Sequence, residues 1–102
     1  MNESAVQRRL LADLKTEFPD AYIRKIHQTM YSHNGIPDII GCINGAFIAI
    51  EVKVTSGKLS RLQQIESADI TIAGGICLVC YGKEGIKDVL SILRDATLQA
   101  PD

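Results

Sequence analysis

Apolar residues recur along the chain at two different spacings, and these spacings predict its helices and strands. Over residues 4–18 they fall every three or four positions, which is the period of an amphipathic helix. Asn2 or Ser4 is the expected N-cap, and Gln7 would complete a capping box with Ser4. Residues 21–28 alternate loosely between apolar and polar positions, which predicts a first strand.

Two apolar, β-branched runs flank the dipeptide Asn44-Gly45, and this arrangement predicts a β-hairpin. A type I′ turn requires positive φ at both central positions, which Asn and Gly adopt readily. With Asn44 and Gly45 in the turn, Asp38 lies directly opposite Glu51, and their Cβ atoms are expected about 5 Å apart. Strand alternation predicts one face with Phe47, Ala49, Glu51 and Lys53, and a fully apolar core face with Ile48, Ile50, Val52 and Val54.

The second half of the chain predicts a helix, a strand and a final helix. The helix covers residues 60–73, beginning at a capping box of Ser60 and Gln63. The apolar run 76–81 predicts a strand that is parallel to the second hairpin strand, paired with it or one strand over, and covered on both faces. Residues 84–97 predict a helix with a packing role, and residues 99–102 a frayed tail. In the predicted helix 60–73, the apolar stripe expected to face the core is Leu62, Ile65, Ala68 and Ile72.

Length and composition indicate a single small domain that spans residues 1–102. The chain has 102 residues, 46% of them hydrophobic, and a formal net charge of −1, so a nucleic-acid partner would have to be bound by local charge. No apolar run approaches the roughly 20 residues of a membrane span, and no leader pattern precedes the first helix, so we expect a cytoplasmic protein. Cys77 and Cys80 lie three apart in a strand and therefore on opposite faces, which favours buried small side chains over a zinc or redox pair.

The pairing of Asp38 with Glu51 is the strongest chemical signal in the sequence. Two facing carboxylates either raise one pKa or require a cation between them, and Mg²⁺ or Mn²⁺ is the ion that such oxygen ligands suit. Lys53 lies on the same face as Glu51 and can place an ammonium beside a phosphate. The alternative is a solvated sheet rim with a weak ion pair.

These residues resemble the PD-(D/E)XK nuclease superfamily, in which a Pro-Asp pair is followed by Glu-x-Lys after a short hairpin. Residues 3–82 are similar in particular to the VRR-NUC domain, found in stand-alone phage and bacterial proteins and fused to eukaryotic repair nucleases. The resemblance implies an α/β restriction-endonuclease-like αβββαβ core with a mixed four-stranded sheet flanked by helices. The matching segments are Gly35-Ile36-Pro37-Asp38, Ile50-Glu51-Val52-Lys53, Gly57-Lys58-Leu59-Ser60 and Gln63.

The resemblance also implies roles for individual residues. Asp38, Glu51, Lys53 and Gln63 would be catalytic. The ligands of Mg²⁺ or Mn²⁺ would be Glu3, Asp38, Glu51 and the backbone carbonyl of Val52. From their placement in the chain, Arg24, Lys25, Lys58 and Arg61 are the expected nucleic-acid contacts, and ordinary polarity of an exposed strand is the alternative for Arg24 and Lys25.

Several of these residues also have simpler explanations. Glu3 suits a helix start and Gln63 a capping box, whatever the activity. His27 and His33 have no second ligand at a recognisable spacing, which favours structural or solvated histidines. Asn34 departs from the family, whose members commonly have a basic residue there.

The implied function is a metal-dependent, structure-selective DNA endonuclease that hydrolyses phosphodiester bonds in branched DNA such as four-way junctions. We expect a homodimer in a bacterial or phage-infected host cell. The alternative is a catalytically silent or partner-dependent DNA-binding module of a replication or repair complex. The intact acidic pair with Lys53 argues against a silent module.

Overall fold

A computed structural model describes residues 1–27 and 33–98, and within them it contains the predicted order of helices and strands. The end of the predicted first strand, at residue 28, and the predicted tail 99–102 lie outside the described residues. A short 3₁₀ turn, Lys83–Gly85, precedes the last helix. The elements are α1 (Glu3–Glu17), β1 (Tyr22–Lys25), β2 (Ile39–Ile43), β3 (Ala46–Lys53), α2 (Arg61–Ile72), β4 (Ile76–Tyr81) and α3 (Ile86–Ala96).

The four strands form one mixed sheet in the order β1-β2-β3-β4. The β1–β2 and β2–β3 pairs are antiparallel, and β4 runs parallel to β3 after the α2 crossover. This confirms the predicted mixed four-stranded sheet. No helix in residues 1–27 and 33–98 combines the length and the apolar composition that crossing a bilayer requires.

The hairpin has the predicted turn and register. Asn44 and Gly45 both have positive φ, at 49° and 85°. Ile43 pairs with Ala46 and Ile39 with Ile50, so one further step outward sets position 38 opposite position 51. The Asn44 side chain also donates a hydrogen bond of 2.9 Å to the Thr97 carbonyl, which joins the turn to the end of α3.

The core lies between the sheet and the helices α1 and α3. Alternate residues of the strands point into it, among them Ile23, Ile39, Ile48 and Ile50. We call the opposite side the second face of the sheet; from the register, its described residues are Tyr22, Arg24, Ile40, Cys42, Phe47, Ala49, Glu51, Lys53, Cys77, Val79 and Tyr81. Side chains from α1, α3 and the neighbouring strands complete the core. They are Val6, Leu10, Leu14, Val52, Cys80, Ile86, Val89 and Leu93.

The predicted inner stripe of α2 is wrong. None of the α2 residues is buried, and Leu62, Ile65 and Ile72 are 49%, 46% and 85% exposed. The sheet-facing side instead carries Gln63 and Ser67, which line a narrow cleft over β3 and β4. The first turn of α2 packs closely against Gly35, where an added Cβ would lie 2.6 Å from the Leu62 carbonyl oxygen.

The structure corrects two further predictions, the coverage of β4 and the capping box at Ser4. Among the described residues, β4 is an edge strand of the sheet and is only partly covered, with α2 over part of one face. The N-cap of α1 is Asn2, whose Oδ1 accepts a 2.8 Å hydrogen bond from the Ala5 amide, and Ser4 lies inside the helix. The capping box predicted at Ser4 therefore does not form, since a residue inside a helix is not its N-cap.

Candidate active site

Asp38 is held at the point where the pairing of β2 with β3 stops. Its Oδ2 accepts a 2.7 Å hydrogen bond from the Val52 amide. Its backbone carbonyl accepts a 2.8 Å bond from the Ile26 amide, next to the end of β1. The Val52 amide of β3 therefore bonds to the Asp38 side chain and not to a backbone carbonyl of β2. This bond fixes the Asp38 carboxylate beside the strand that carries Glu51.

Glu51 is buried, with 9% of its surface exposed. Burial is the largest cause that raises the pKa of Glu51, from 4.5 to about 8. A side-chain hydrogen bond with Asp38 and the negative charge of Asp38 raise it further, while the positive charge of Lys53 opposes the shift and Glu3 adds a small rise. The two carboxyl groups therefore share one region of space in which two negative charges are unfavourable.

The donor chemistry of this pair fits a divalent cation such as Mg²⁺ or Mn²⁺, which proteins bind through one or two carboxylates. The amide and carbonyl of a strand residue point toward the same neighbouring strand. Since the Val52 amide bonds to Asp38, the Val52 carbonyl also lies on the Asp38 side. Within residues 1–27 and 33–98, however, no three His, Cys, Asp or Glu side chains are grouped closely enough to hold a metal ion.

Glu3 lies near this pair at the start of α1, yet its carboxylate makes a different contact. Its Oε2 accepts a 3.3 Å hydrogen bond from the amide of Val54, just after β3. This bond ties the first turn of α1 to the end of the strand that carries Glu51. A ligand role for Glu3 stays a prediction, and the contact shows a structural role.

Lys53 ends β3 and is partly exposed on the second face, in line with Glu51. Its backbone carbonyl accepts a 2.7 Å bond from the Gly82 amide, which anchors the strand end. The following loop turns back on itself through a bond of 2.8 Å from the Gly57 amide to the Val54 carbonyl. Lys58 comes directly after Gly57 and is exposed. Two lysines, Lys53 and Lys58, therefore follow Glu51 within seven positions of the chain.

Gln63 takes part in the predicted capping box and also faces the site. Its Oε1 accepts a 2.8 Å bond from the Ser60 amide, and its own amide donates a 3.1 Å bond to the Ser60 hydroxyl. Gln63 and Glu51 line the same cleft between α2 and the sheet, whose volume is about 20 Å³. This volume leaves room for about one water molecule.

The remaining predicted nucleic-acid contacts lie on either side of the carboxyl pair. Arg24 is exposed on β1, with its guanidinium 4.2 Å from the centre of the Tyr22 ring. Lys25 is partly buried at the end of β1, and Arg61 is exposed in the first turn of α2. The four predicted contacts come from three separate segments of the chain, β1, the loop after β3 and the first turn of α2.

The histidines are not placed as a metal pair. His33 Nε2 lies 3.0 Å from Glu66 Oε1, which links the segment before Asp38 to α2. His27 is exposed beyond β1. Among the described residues, these contacts agree with a structural or solvated histidine.

Comparison with solved structures places this architecture in a known group. One structure, described as a VRR_NUC domain, superposes with a TM-score of 0.74 at 19% sequence identity, over 87% of this chain and 94% of its own. The chain has the fold of a VRR-NUC domain. Neither a protein-family model nor a curated protein sequence matches it. The predicted restriction-endonuclease-like fold is thus confirmed, and the role of each site residue stays a prediction.

The sequence analysis did not predict the exposure of two aromatic rings on the face of the site. Tyr22 and Phe47 are 57% and 42% exposed on the second face of the sheet. The strand alternation does put Phe47 on the face of Glu51. The sequence does not show how much of this face α2 covers. Full coverage by α2 would have buried both rings.

Proposed function

We propose that this chain is a Mg²⁺- or Mn²⁺-dependent DNA endonuclease that hydrolyses phosphodiester bonds. The observation that carries the proposal is the pair formed by buried Glu51 and half-buried Asp38, in which burial, followed by the hydrogen bond and the charge of Asp38, raises the pKa of Glu51 to about 8. A pair of acidic groups held together at a cost to stability is typical of a functional site. The VRR-NUC fold supports the same reaction class.

In the proposed mechanism the chain supplies oxygen ligands, a cation and an orienting amide. Asp38, Glu51 and the Val52 carbonyl would hold the ion. When bound, the ion would lower the pKa of a water molecule and neutralise charge on the phosphate. Lys53 places its ammonium near the scissile phosphate and stabilises the negative charge of the pentacovalent transition state. Gln63 orients the phosphate or the attacking water through its side-chain amide.

The proposed substrate is branched duplex DNA, including four-way junctions, recognised through its backbone. Lys58, Arg61 and Arg24 are exposed, and Lys25, which follows Arg24 on β1, is partly exposed on the other face of the sheet. Such phosphate contacts orient a protein on DNA without reading its sequence. The net charge of −1 means that these local cations carry the attraction.

We further propose that the chain acts as a homodimer. Leu62, Ile65 and Ile72 point to solvent on α2, where an apolar stripe would be stabilised by burial against a second copy. A symmetric dimer presents two sites to two DNA strands. This matches the requirement for paired cuts in a four-way junction.

The decisive experiment is cleavage of a panel of four-way junction, flap, nicked and linear duplex DNA with Mg²⁺ or Mn²⁺. We expect metal-dependent cutting by the wild type and a loss of about 100-fold or more in Asp38→Asn. Asn is preferred to Ala because its Oδ1 can still accept the hydrogen bond from the Val52 amide, so the charge is removed while the contact is kept. Asp95→Asn, at an exposed position on α3, is the matched control and should cut like the wild type.

The outcomes separate the proposed activities. Symmetric cuts confined to the junction would identify a junction resolvase. Binding without cutting under every metal condition would refute the stand-alone enzyme. That result would favour the partner-dependent or silent DNA-binding module.

A further inference from the structure

The second face of the sheet carries two exposed aromatic rings in one row. The pairing register aligns Tyr22 with Cys42 and Cys42 with Phe47, on three adjacent strands. Tyr22 is 57% exposed, Phe47 is 42% exposed and Cys42 between them is also exposed. Neighbouring strands lie about 4.8 Å apart, so the two ring-bearing positions are separated by about 10 Å.

The helix that packs on this face leaves the row uncovered. The cleft under α2 is lined by Ala49 and Glu51 of β3 and by Cys77 and Val79 of β4. The Phe47 ring marks the border, because a Cβ added at Gly75 would lie 3.1 Å from its Cδ2. The β1 and β2 side of the face is therefore open, with its aromatic surface in solvent.

The row is continuous with the candidate active site. Phe47 and Glu51 lie on the same face of β3, four residues apart, which is about 13 Å along a strand. Arg24 lies between the Tyr22 row and the carboxyl pair, and its guanidinium covers part of the Tyr22 ring at 4.2 Å. A nucleic-acid strand bound across the row would reach the carboxylates within a few nucleotides.

From this placement we propose that Tyr22 and Phe47 form a stacking platform for unpaired bases of the DNA substrate. Exposed aromatic rings on a sheet stack bases of any identity, and an arginine plane can stack a base as well. Arg24 supplies a positive charge at the platform, which favours the phosphates of the same strand. The inference rests on the proposed nuclease function and adds that, among branched DNAs, the chain binds most tightly those with unpaired nucleotides beside the cleaved bond.

The test measures binding without chemistry, in EDTA, by fluorescence anisotropy of labelled oligothymidine and of a duplex of equal length. Tyr22→Leu and Phe47→Leu keep an apolar side chain and remove the aromatic face. We expect each to weaken oligothymidine binding about tenfold and to change duplex binding by less than about twofold. Tyr22→Phe and Phe47→Tyr keep a ring and should bind like the wild type.

A spectroscopic readout reports stacking directly. Oligothymidine should quench tyrosine fluorescence in the wild type, and the part of the quenching that Tyr22→Phe removes belongs to Tyr22. Because both positions are exposed, the leucine variants should have wild-type stability in urea denaturation. That result would exclude misfolding as the cause of lost binding.

Three results would overturn the inference. They are unchanged oligothymidine binding in both leucine variants, equal affinity for oligothymidine and duplex, or a change of the leucine variants to a smaller oligomer in solution. The last result would mean that the face binds a second copy of the chain. The assay also separates this inference from the proposed function. A wild type that binds oligothymidine through both rings but cuts no DNA would refute the nuclease and leave the platform standing.

Discussion

Among single residues, Glu51 combines burial with a neighbouring carboxylate, and both oppose its ionisation. In the folded protein its pKa is about 8, against 4.5 as its ordinary value. Between these pH values the folded chain keeps a proton that the unfolded chain has released. The free energy of unfolding must therefore fall as pH rises through this window.

We predict that in EDTA the wild type is more stable at pH 5 than at pH 8, with the decrease between about pH 4.5 and about pH 8. The measurement is urea denaturation across this range. Glu51→Gln should remove this part of the slope and be more stable than the wild type at pH 8, because an amide needs no proton to remain neutral.

The variant leaves both histidines in place, so the difference between the two proteins isolates Glu51. Equal slopes in wild type and Glu51→Gln would contradict the prediction. They would show that Asp38 and Glu51 are not crowded in solution.

At the scale of elements, α2 is positioned by its ends more than by its side-chain pattern. The Ser60–Gln63 capping box fixes where the helix begins, and the close approach of Gly35 to the Leu62 carbonyl fixes how its first turn docks. With no buried residue, the helix gains little from hydrophobic burial. Gln63 is thus important both for the helix start and for the site it faces.

Substitution of Gln63 can separate these two roles. Gln63→Glu keeps an acceptor for the Ser60 amide, so stability should stay within about 0.5 kcal/mol, whereas Gln63→Ala should cost about 1 kcal/mol. Gln63→Glu loses the amide donor and adds negative charge beside Glu51, so we expect DNA cleavage to drop about tenfold or more. Urea denaturation and cleavage rates on the preferred DNA are the two measurements.

Wild-type cleavage by a stable Gln63→Glu variant would restrict Gln63 to its capping role. A parallel loss of stability and cleavage in Gln63→Ala alone would support the same conclusion. Only lost cleavage with retained stability supports the site role.

At the scale of the whole molecule, apolar surface is distributed unevenly. The core lies on the α1 and α3 side of the sheet, while α2 presents Leu62, Ile65 and Ile72 to solvent. A small domain gains stability from every apolar side chain that it buries, so an exposed stripe indicates a partner surface. The proposed homodimer would supply that partner.

We predict that the wild type sediments as a dimer and that the combined variant Leu62→Gln, Ile65→Gln, Ile72→Gln sediments as a monomer. Because none of the three side chains is buried, the folded monomer should remain stable, as judged by its far-UV circular dichroism. Ile92→Gln, at a position on α3 that is 48% exposed, is the matched control and should remain a dimer. A monomeric wild type, or a dimeric triple variant, would contradict the prediction.

Much of the fold follows from local sequence. The hairpin register was predictable because Asn44 and Gly45 adjoin both strands, so a turn of known geometry determines every pair up to Asp38 and Glu51. The capping box at Ser60 was predictable for the same reason, since its partners lie three residues apart. The carboxyl pair at the centre of the site therefore comes from short-range information.

The tertiary structure decided which surfaces meet. The α2 pattern is compatible with more than one inward face, and in the folded chain the side that carries Gln63 faces the sheet, with the first turn close to Gly35. The edge position of β4 and the exposure of Tyr22 and Phe47 likewise depend on how far α2 extends over the sheet. Such features arise from contacts between distant segments, whose geometry no local period encodes. The sequence by itself determined the elements, the register and the facing carboxylates, and the packing of those elements decided what remains open to a partner.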